Sequence, residues 1–208
     1  MVRHAFLLDV PDMGSFLRAF SENEKDVRAF AAREGLTNAS GWYVDRYAFF
    51  YAERGRMGEL RIPAALEDAF APVCSYIARP GEMRLMYRDD GVIRQDKSLI
   101  RHRVFATLIH EGCADEYKAR HDVLSARREA MPPVDHADSN FTIWCARGRY
   151  NFGYCEKVLA FDHEMTEAEK AETVAWETRM LEIMDWITDD VDWITKERHP
   201  AMKNLFME

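Results

Sequence analysis

The sequence predicts an α+β fold made of two tandem ferredoxin-like repeats, and three observations support this. The segment NASGWYVDRYAFFYAE (38–53) recurs as NFTIWCARGRYNFGYCE (140–156), with Asn38 matching Asn140 and Trp42 matching Trp144. Each half carries the same order of runs: strand, helix, strand, strand, helix, strand. The strands of both matched hairpins are apolar on both faces, so each sheet needs a cover on either side.

The elements follow in order. RHAFLLDV (3–10) opens the first half and HRVFATLI (102–109) the second, each a short strand-like run. Helical stretches come next, over roughly 12–34 and 113–131. Gly35 is a fitting C-cap for the first, and Pro132 with Pro133 stops the second. After one residue inserted at the turn, RYNFGYCE repeats the Arg, Tyr, Phe, Tyr and Glu of RYAFFYAE in place. Alternate large residues, Tyr47, Phe49 and Tyr51 against Tyr150, Phe152 and Tyr154, mark one face of each hairpin strand. A second helical stretch is expected over about 64–77 in the first half. In the second half Thr166-Glu167-Ala168-Glu169 fits a capping box at the start of a longer helix through Trp176 and Leu181. A break near Thr188-Asp189-Asp190 precedes a last short helix, Val191–Lys196. GEMRLMYR (81–88) and AMKNLFM (201–207), each just after a proline, supply the final strands. The repeats are thus 1–90 and 99–208, joined by the charged, turn-rich linker 89–98. Two such units covering each other's open sheet faces would form an α+β barrel, a pseudo-dimer within one chain.

Composition narrows the function classes. The 208 residues are 48% hydrophobic, enough for a substantial core. A formal charge of −8 with no basic stripe argues against nucleic acid as a partner. No run reaches the ~20 apolar residues of a membrane span, and MVRHAFLLDV lacks the features of a signal peptide, so a cytoplasmic protein is expected. Cys74, Cys113, Cys145 and Cys155 form no CxxC pair and read as unpaired thiols. No HExxH, GxSxG or GxGxxG spacing occurs, so neither metal nor nucleotide cofactor is expected. His102 and His110 share a strand face, and His163 and His136 sit in loop-like segments. Gly148 and Gly153 read as a hairpin turn and a point of close backbone approach.

One segment stands out. In EYKARHD (116–122), Tyr117 and His121 join Ala114 and Leu124 in a stripe at spacings of three and four. That stripe is one face of a helix, aimed at the sheet. The first half has SFLRAFS (15–21) at the matching place, with Phe16 and Phe20. A packed core histidine is the structural alternative. The comparison between halves favours function, because the same geometry packs adequately with phenylalanine. An inward imidazole can give and take protons near neutral pH. The tryptophans Trp144, Trp176, Trp186 and Trp193 are core residues or platforms for the C–H face of a sugar ring.

From about His102 to Glu208 the chain resembles the L-rhamnose mutarotase family. The resemblance rests on HRVF, on E-Y-x-x-R-H-[ND] in EYKARHD, on NFTIW, on a strand ending FGYCE, on a Trp-bearing helix and on a final strand after a proline. The first half looks like a diverged copy without the Tyr and His. The resemblance implies a dimeric α/β barrel that interconverts the α and β anomers of a 6-deoxy aldose such as L-rhamnose or L-fucose. It implies that His121 is the proton donor and Tyr117 a substrate hydrogen-bonding group. Phe141 falls at a sugar contact that is usually Tyr in the family, which removes a hydroxyl. The family's late-helix tryptophan pair has no adjacent counterpart here; Trp186 is the best match and Trp193 the second. No cofactor is implied, and a further homodimer is compatible with the resemblance. Two other functions fit the same scaffold: small-ligand binding without catalysis, and cofactor-free oxygenation, which rests on fold analogy.

Overall fold

The computed structural model describes residues 1–129, 138–161, 163–188 and 198–208. The chain has four α-helices and two five-stranded antiparallel sheets among these residues. It divides into two compact units, Met1–Met83 with Met202–Glu208, and Arg84–Ala201.

The first unit contains β1 (Val2–Asp9), α1 (Met13–Glu34), β2 (Leu36–Val44), β3 (Tyr47–Arg54), α2 (Ala64–Phe70), β4 (Ser75–Ala78) and β10 (Lys203–Met207), with strand order β10-β2-β3-β1-β4. Asp12 caps α1 by accepting from Gly14 N at 3.0 Å, which satisfies an orphan donor. Gly35 closes the helix at φ 62° in the left-handed region, as the sequence suggests.

The second unit contains β5 (Arg84–Asp89), β6 (Ile100–Ile109), α3 (Ala114–Glu129), β7 (Asp138–Ala146), β8 (Tyr150–Val158), α4 (Glu167–Met180) and β9 (Met184–Thr188), ordered β5-β7-β8-β6-β9. The expected capping box opens α4: Thr166 N donates to Glu169 Oε2 at 2.7 Å, and Glu169 N donates back to Thr166 Oγ1 at 3.3 Å. No helix among the described residues is long and apolar enough to cross a membrane.

Three expectations need correction. The helical stretch over 64–77 ends at Phe70, and Ser75–Ala78 is instead the edge strand β4. The late helix stops at Met180, and the chain returns to β6 as β9. Both short strands begin within five residues of a helix end, and runs of four or five residues have no periodicity of their own. The expected final strand of each half pairs in the sheet of the other: β5 with β7, and β10 with β2. The expected helix Val191–Lys196 and the stop at Pro132-Pro133 lie outside the described residues.

The matched hairpins have a shared physical cause. Asn38 and Asn140 both sit at β-bulges, at φ 51° and 48°. Asparagine tolerates this left-handed backbone better than most residues. Asn38 Nδ2 donates to Glu53 Oε1 at 3.0 Å, and Tyr51 Oη donates to the same oxygen at 2.9 Å. The second hairpin repeats this arrangement, with Asn140 at 2.9 Å and Tyr154 at 3.0 Å from Glu156 Oε1. Lys97 Nζ adds an ion pair to Glu156 at 2.8 Å. The recurring Asn, Tyr and Glu therefore pin a bulge. Asn140→Ala forfeits both the backbone tolerance and a hydrogen bond to a carboxylate, and should cost about 3 kcal/mol in urea denaturation. Asn140→Gly, which relieves the backbone, should cost clearly less; equal losses would exclude backbone strain as a cause.

Candidate functional site

Tyr117 and His121 are brought together on the inner face of α3. Aspartate and glutamate in the first turn, Asp115 and Glu116, suit the helix N-terminus. The ion pairs Lys118–Asp122, at 2.6 Å, and Arg120–Glu116 occupy other faces of the helix. The inner stripe packs on the sheet: Tyr117 belongs to a core cluster with Phe105 and Ile109 of β6, Ile143 and Cys145 of β7, and Met180 of α4. Tyr117 is 2% exposed and His121 is 5% exposed.

The two rings stack at 4.4 Å. His121 Nδ1 lies 3.0 Å from Tyr117 O, the backbone carbonyl one helical turn earlier. Trp176 of α4 meets the imidazole edge-on at 5.1 Å, and Tyr87 of β5 meets it at 5.4 Å. Burial pushes the His121 pKa down to about 4, against a partial upward pull from the Tyr117 carbonyl and Asp122. Burial likewise pushes the Tyr117 phenol up, with the Asn151 hydrogen bond opposing. At neutral pH the pair is therefore a neutral imidazole beside a protonated phenol.

A polar trio behind the pair distinguishes this half from the other. Asn151 Nδ2 donates to Tyr117 Oη and to Thr107 Oγ1, each at 3.0 Å. Asn151 Oδ1 is buried without a hydrogen-bond partner among the described residues. In the first half the corresponding residues are Leu8, Phe16 and Ala48, which pack together in an apolar cluster. The registers agree, since Thr107 pairs with Asn151 as Leu8 pairs with Ala48. Sequence reasoning missed Thr107 and Asn151, although the repeat alignment contained the signal: Leu8 and Ala48 become polar together with Phe16. It also passed over Tyr87, which pairs with Ile143 as Phe206 pairs with Gly41 in the other half.

The other expected site residues divide. Phe141 on β7 joins the group through Tyr87, at 5.1 Å, and Phe105, at 6.1 Å. Trp186 lies on strand β9, not on the late helix, and reaches Phe105 at 6.2 Å. Trp144 is not brought in. It lies between Ile143 and Cys145, which face the helices, so strand alternation turns it to the opposite sheet face. Its Nε1 donates to Thr142 Oγ1 at 3.0 Å. Trp193 lies outside the described residues. Trp176, noted in the sequence only as a late-helix tryptophan, is the one that touches His121.

A groove of about 450 Å³ runs between β5 and α3, lined by Tyr87, Arg88, Asp89, Asp90, Lys118 and Asp122 among others. Tyr117 and His121 do not line it, but Tyr87 borders both the groove and the imidazole. Gly153 on β8 explains how the aromatic packing is possible, because a Cβ there would come within 2.2 Å of the Phe105 ring. All four cysteines are free thiols, and no cluster of three metal-ligating side chains occurs among the described residues. His163 pairs with Glu169 at 3.1 Å on the exposed side of α4.

The buried imidazole gives a stability signature. A histidine at about 6.5 unfolded and about 4 folded leaves the unfolded chain with more protons between those values. Stability should therefore fall as pH drops from 6.5 to 4, by about 3 kcal/mol in total from this residue. His121→Phe should flatten that part of a denaturation-versus-pH curve. An unchanged slope would place the acid sensitivity elsewhere, for example at His4 or His102, whose pKa values burial also lowers.

Comparison of the chain with models of protein families, with curated proteins and with solved structures finds no match.

Proposed function

We propose that the second unit is a sugar mutarotase site, interconverting the α and β anomers of a 6-deoxy aldose such as L-rhamnose or L-fucose. The observation that carries this reading is the stacked Tyr117–His121 pair, set on a polar trio that the other half replaces with Leu, Phe and Ala. A base and an acid side by side are what mutarotation needs. Neutral His121 takes the proton of the anomeric hydroxyl. The ring C–O bond breaks to give the open-chain aldehyde, and a proton from the Tyr117 hydroxyl or a water goes to the former ring oxygen. Rotation about C1–C2 and the reverse transfers close the other anomer. Burial makes removal, not donation, the first act of the imidazole. The groove beside Tyr87, lined by carboxylates, a guanidinium and an ammonium group, has the polarity for sugar hydroxyls. Tyr87 borders both this groove and the His121 ring, 5.4 Å away. The E-Y-x-x-R-H resemblance points to the same chemistry.

Fold-level support is of the same kind. The run β1-α1-β2-β3-α2-β4 with strand order β2-β3-β1-β4 suits a ferredoxin-like unit, and β6 to β9 repeat it. We read the chain as a tandem of such units closing into an intrachain α/β barrel, as the two-sided apolar strands suggest.

A second reading, ligand binding without turnover, is favoured by the close aromatic packing around His121. Anomer-exchange NMR over a panel of aldoses separates the two. Saturable exchange above the buffer rate supports the mutarotase; saturable binding without exchange supports the second reading.

A further inference from the structure

The two halves place polarity at different points on the same sheet face. In the first unit, a cavity of about 700 Å³ lies between α1, α2 and the sheet. Its lining includes the rings of Phe6, Phe16, Phe20, Phe50 and Phe206, and the volume lies within the range of pockets that hold drug-sized molecules. Glu67 and Arg79 also line it, but they pair with each other, and Asp68 is exposed. Nothing in this arrangement offers a bare charge to a ligand inside.

One polar group breaks the apolar lining. His4 shares the helix-facing side of β1 with Phe6 and Leu8, opposite Ala52. It is 7% exposed, and its Nε2 is buried with no hydrogen-bond partner among the described residues. The large majority of buried polar side-chain atoms are hydrogen-bonded, so an unpartnered nitrogen on a residue that lines a large cavity calls for a partner. Desolvation, with a smaller push from Arg54, lowers the pKa of this imidazole. The corresponding position in the second half is Arg103, whose guanidinium lies 4.9 Å from the Phe105 ring, so no histidine stands at the matching place there.

We propose that this cavity binds one uncharged, mainly hydrocarbon or aromatic molecule carrying a single hydroxyl group that pairs with His4 Nε2. A hydroxyl both gives and takes a hydrogen bond, and so suits either tautomer. The ring-lined walls favour a flat apolar body. This site is separate from Tyr117 and His121 and stands or falls without them.

The test uses the full chain labelled with ¹³C at alanine methyls and ¹⁵N at histidine, with 2-naphthol, naphthalene and 2-naphthoate as probes. Saturable shifts of the Ala39 and Ala52 methyls, both in the cavity lining, are expected with 2-naphthol. The His4 ¹⁵N signal should move with 2-naphthol and not with naphthalene. His4→Phe should weaken 2-naphthol about tenfold and leave naphthalene unchanged, while 2-naphthoate should bind at least about tenfold more weakly than 2-naphthol. If no cavity alanine shifts at the solubility limit of 2-naphthol, or if the wild-type His4 signal ignores the hydroxyl, the proposal is wrong. The first two readouts need no variant, so a poorly folding His4→Phe chain leaves the test intact.

Discussion

His121→Phe should abolish catalysed anomer exchange, a loss of ~10²–10⁴-fold, while leaving the chain folded. The fold tolerates the substitution because the first half already has Phe20 at this place, buried among Phe16, Phe70 and Phe206. The variant loses only the nitrogens and the contact from Nδ1 to the Tyr117 carbonyl. Far-ultraviolet circular dichroism and the denaturation midpoint at pH 7 should stay close to wild type. Exchange that persists with His121→Phe would move the chemistry elsewhere; unfolding would show that the imidazole is structural.

Replacing the polar trio by its counterpart should stabilise the protein. The variant Thr107→Leu, Tyr117→Phe, Asn151→Ala rebuilds the cluster of Leu8, Phe16 and Ala48 in the second unit. It removes the buried, unpartnered Asn151 Oδ1, whose desolvation costs about 1–3 kcal/mol. The hydrogen bonds removed with it are offset because both partners leave together. A rise of about 2 kcal/mol in unfolding free energy at pH 7 is therefore expected, with catalysed exchange strongly reduced. Destabilisation by a similar amount would instead mean that the trio serves packing. The polar set would then need no functional explanation.

Much of this was legible because the chain compares itself with itself. The hairpin match located the bulge asparagines and the carboxylates they hold, and the helix register placed Tyr117 and His121 toward the sheet. Gly35 after α1, and Thr166 with Glu169 on α4, are local signals and can be read locally. Where contacts are long-range, the sequence says less. Nothing in GEMRLMYR or AMKNLFM tells which sheet each strand joins, since edge pairing depends on the whole topology. SYIA and MDWIT are too short to show a period of two and read as extensions of the neighbouring helices, which places Trp186 on the wrong kind of element. Alternation separates Trp144 from Ile143 and Cys145, but it does not say which set meets the helices. Burial at His121 was equally out of reach: the pattern gives direction, while the rings of Tyr87 and Trp176 that enclose it come from β5 and α4.

The proposed chemistry depends most on a neutral imidazole working beside a protonated phenol in the second unit. Selective-inversion NMR of L-rhamnose and L-fucose with the wild-type chain, from pH 8 down to pH 4, tests it directly. Saturable exchange of at least one sugar, level from pH 8 to about 5 and falling as His121 protonates near 4, is the expected result. Exchange no faster than buffer with either sugar at every pH would contradict it.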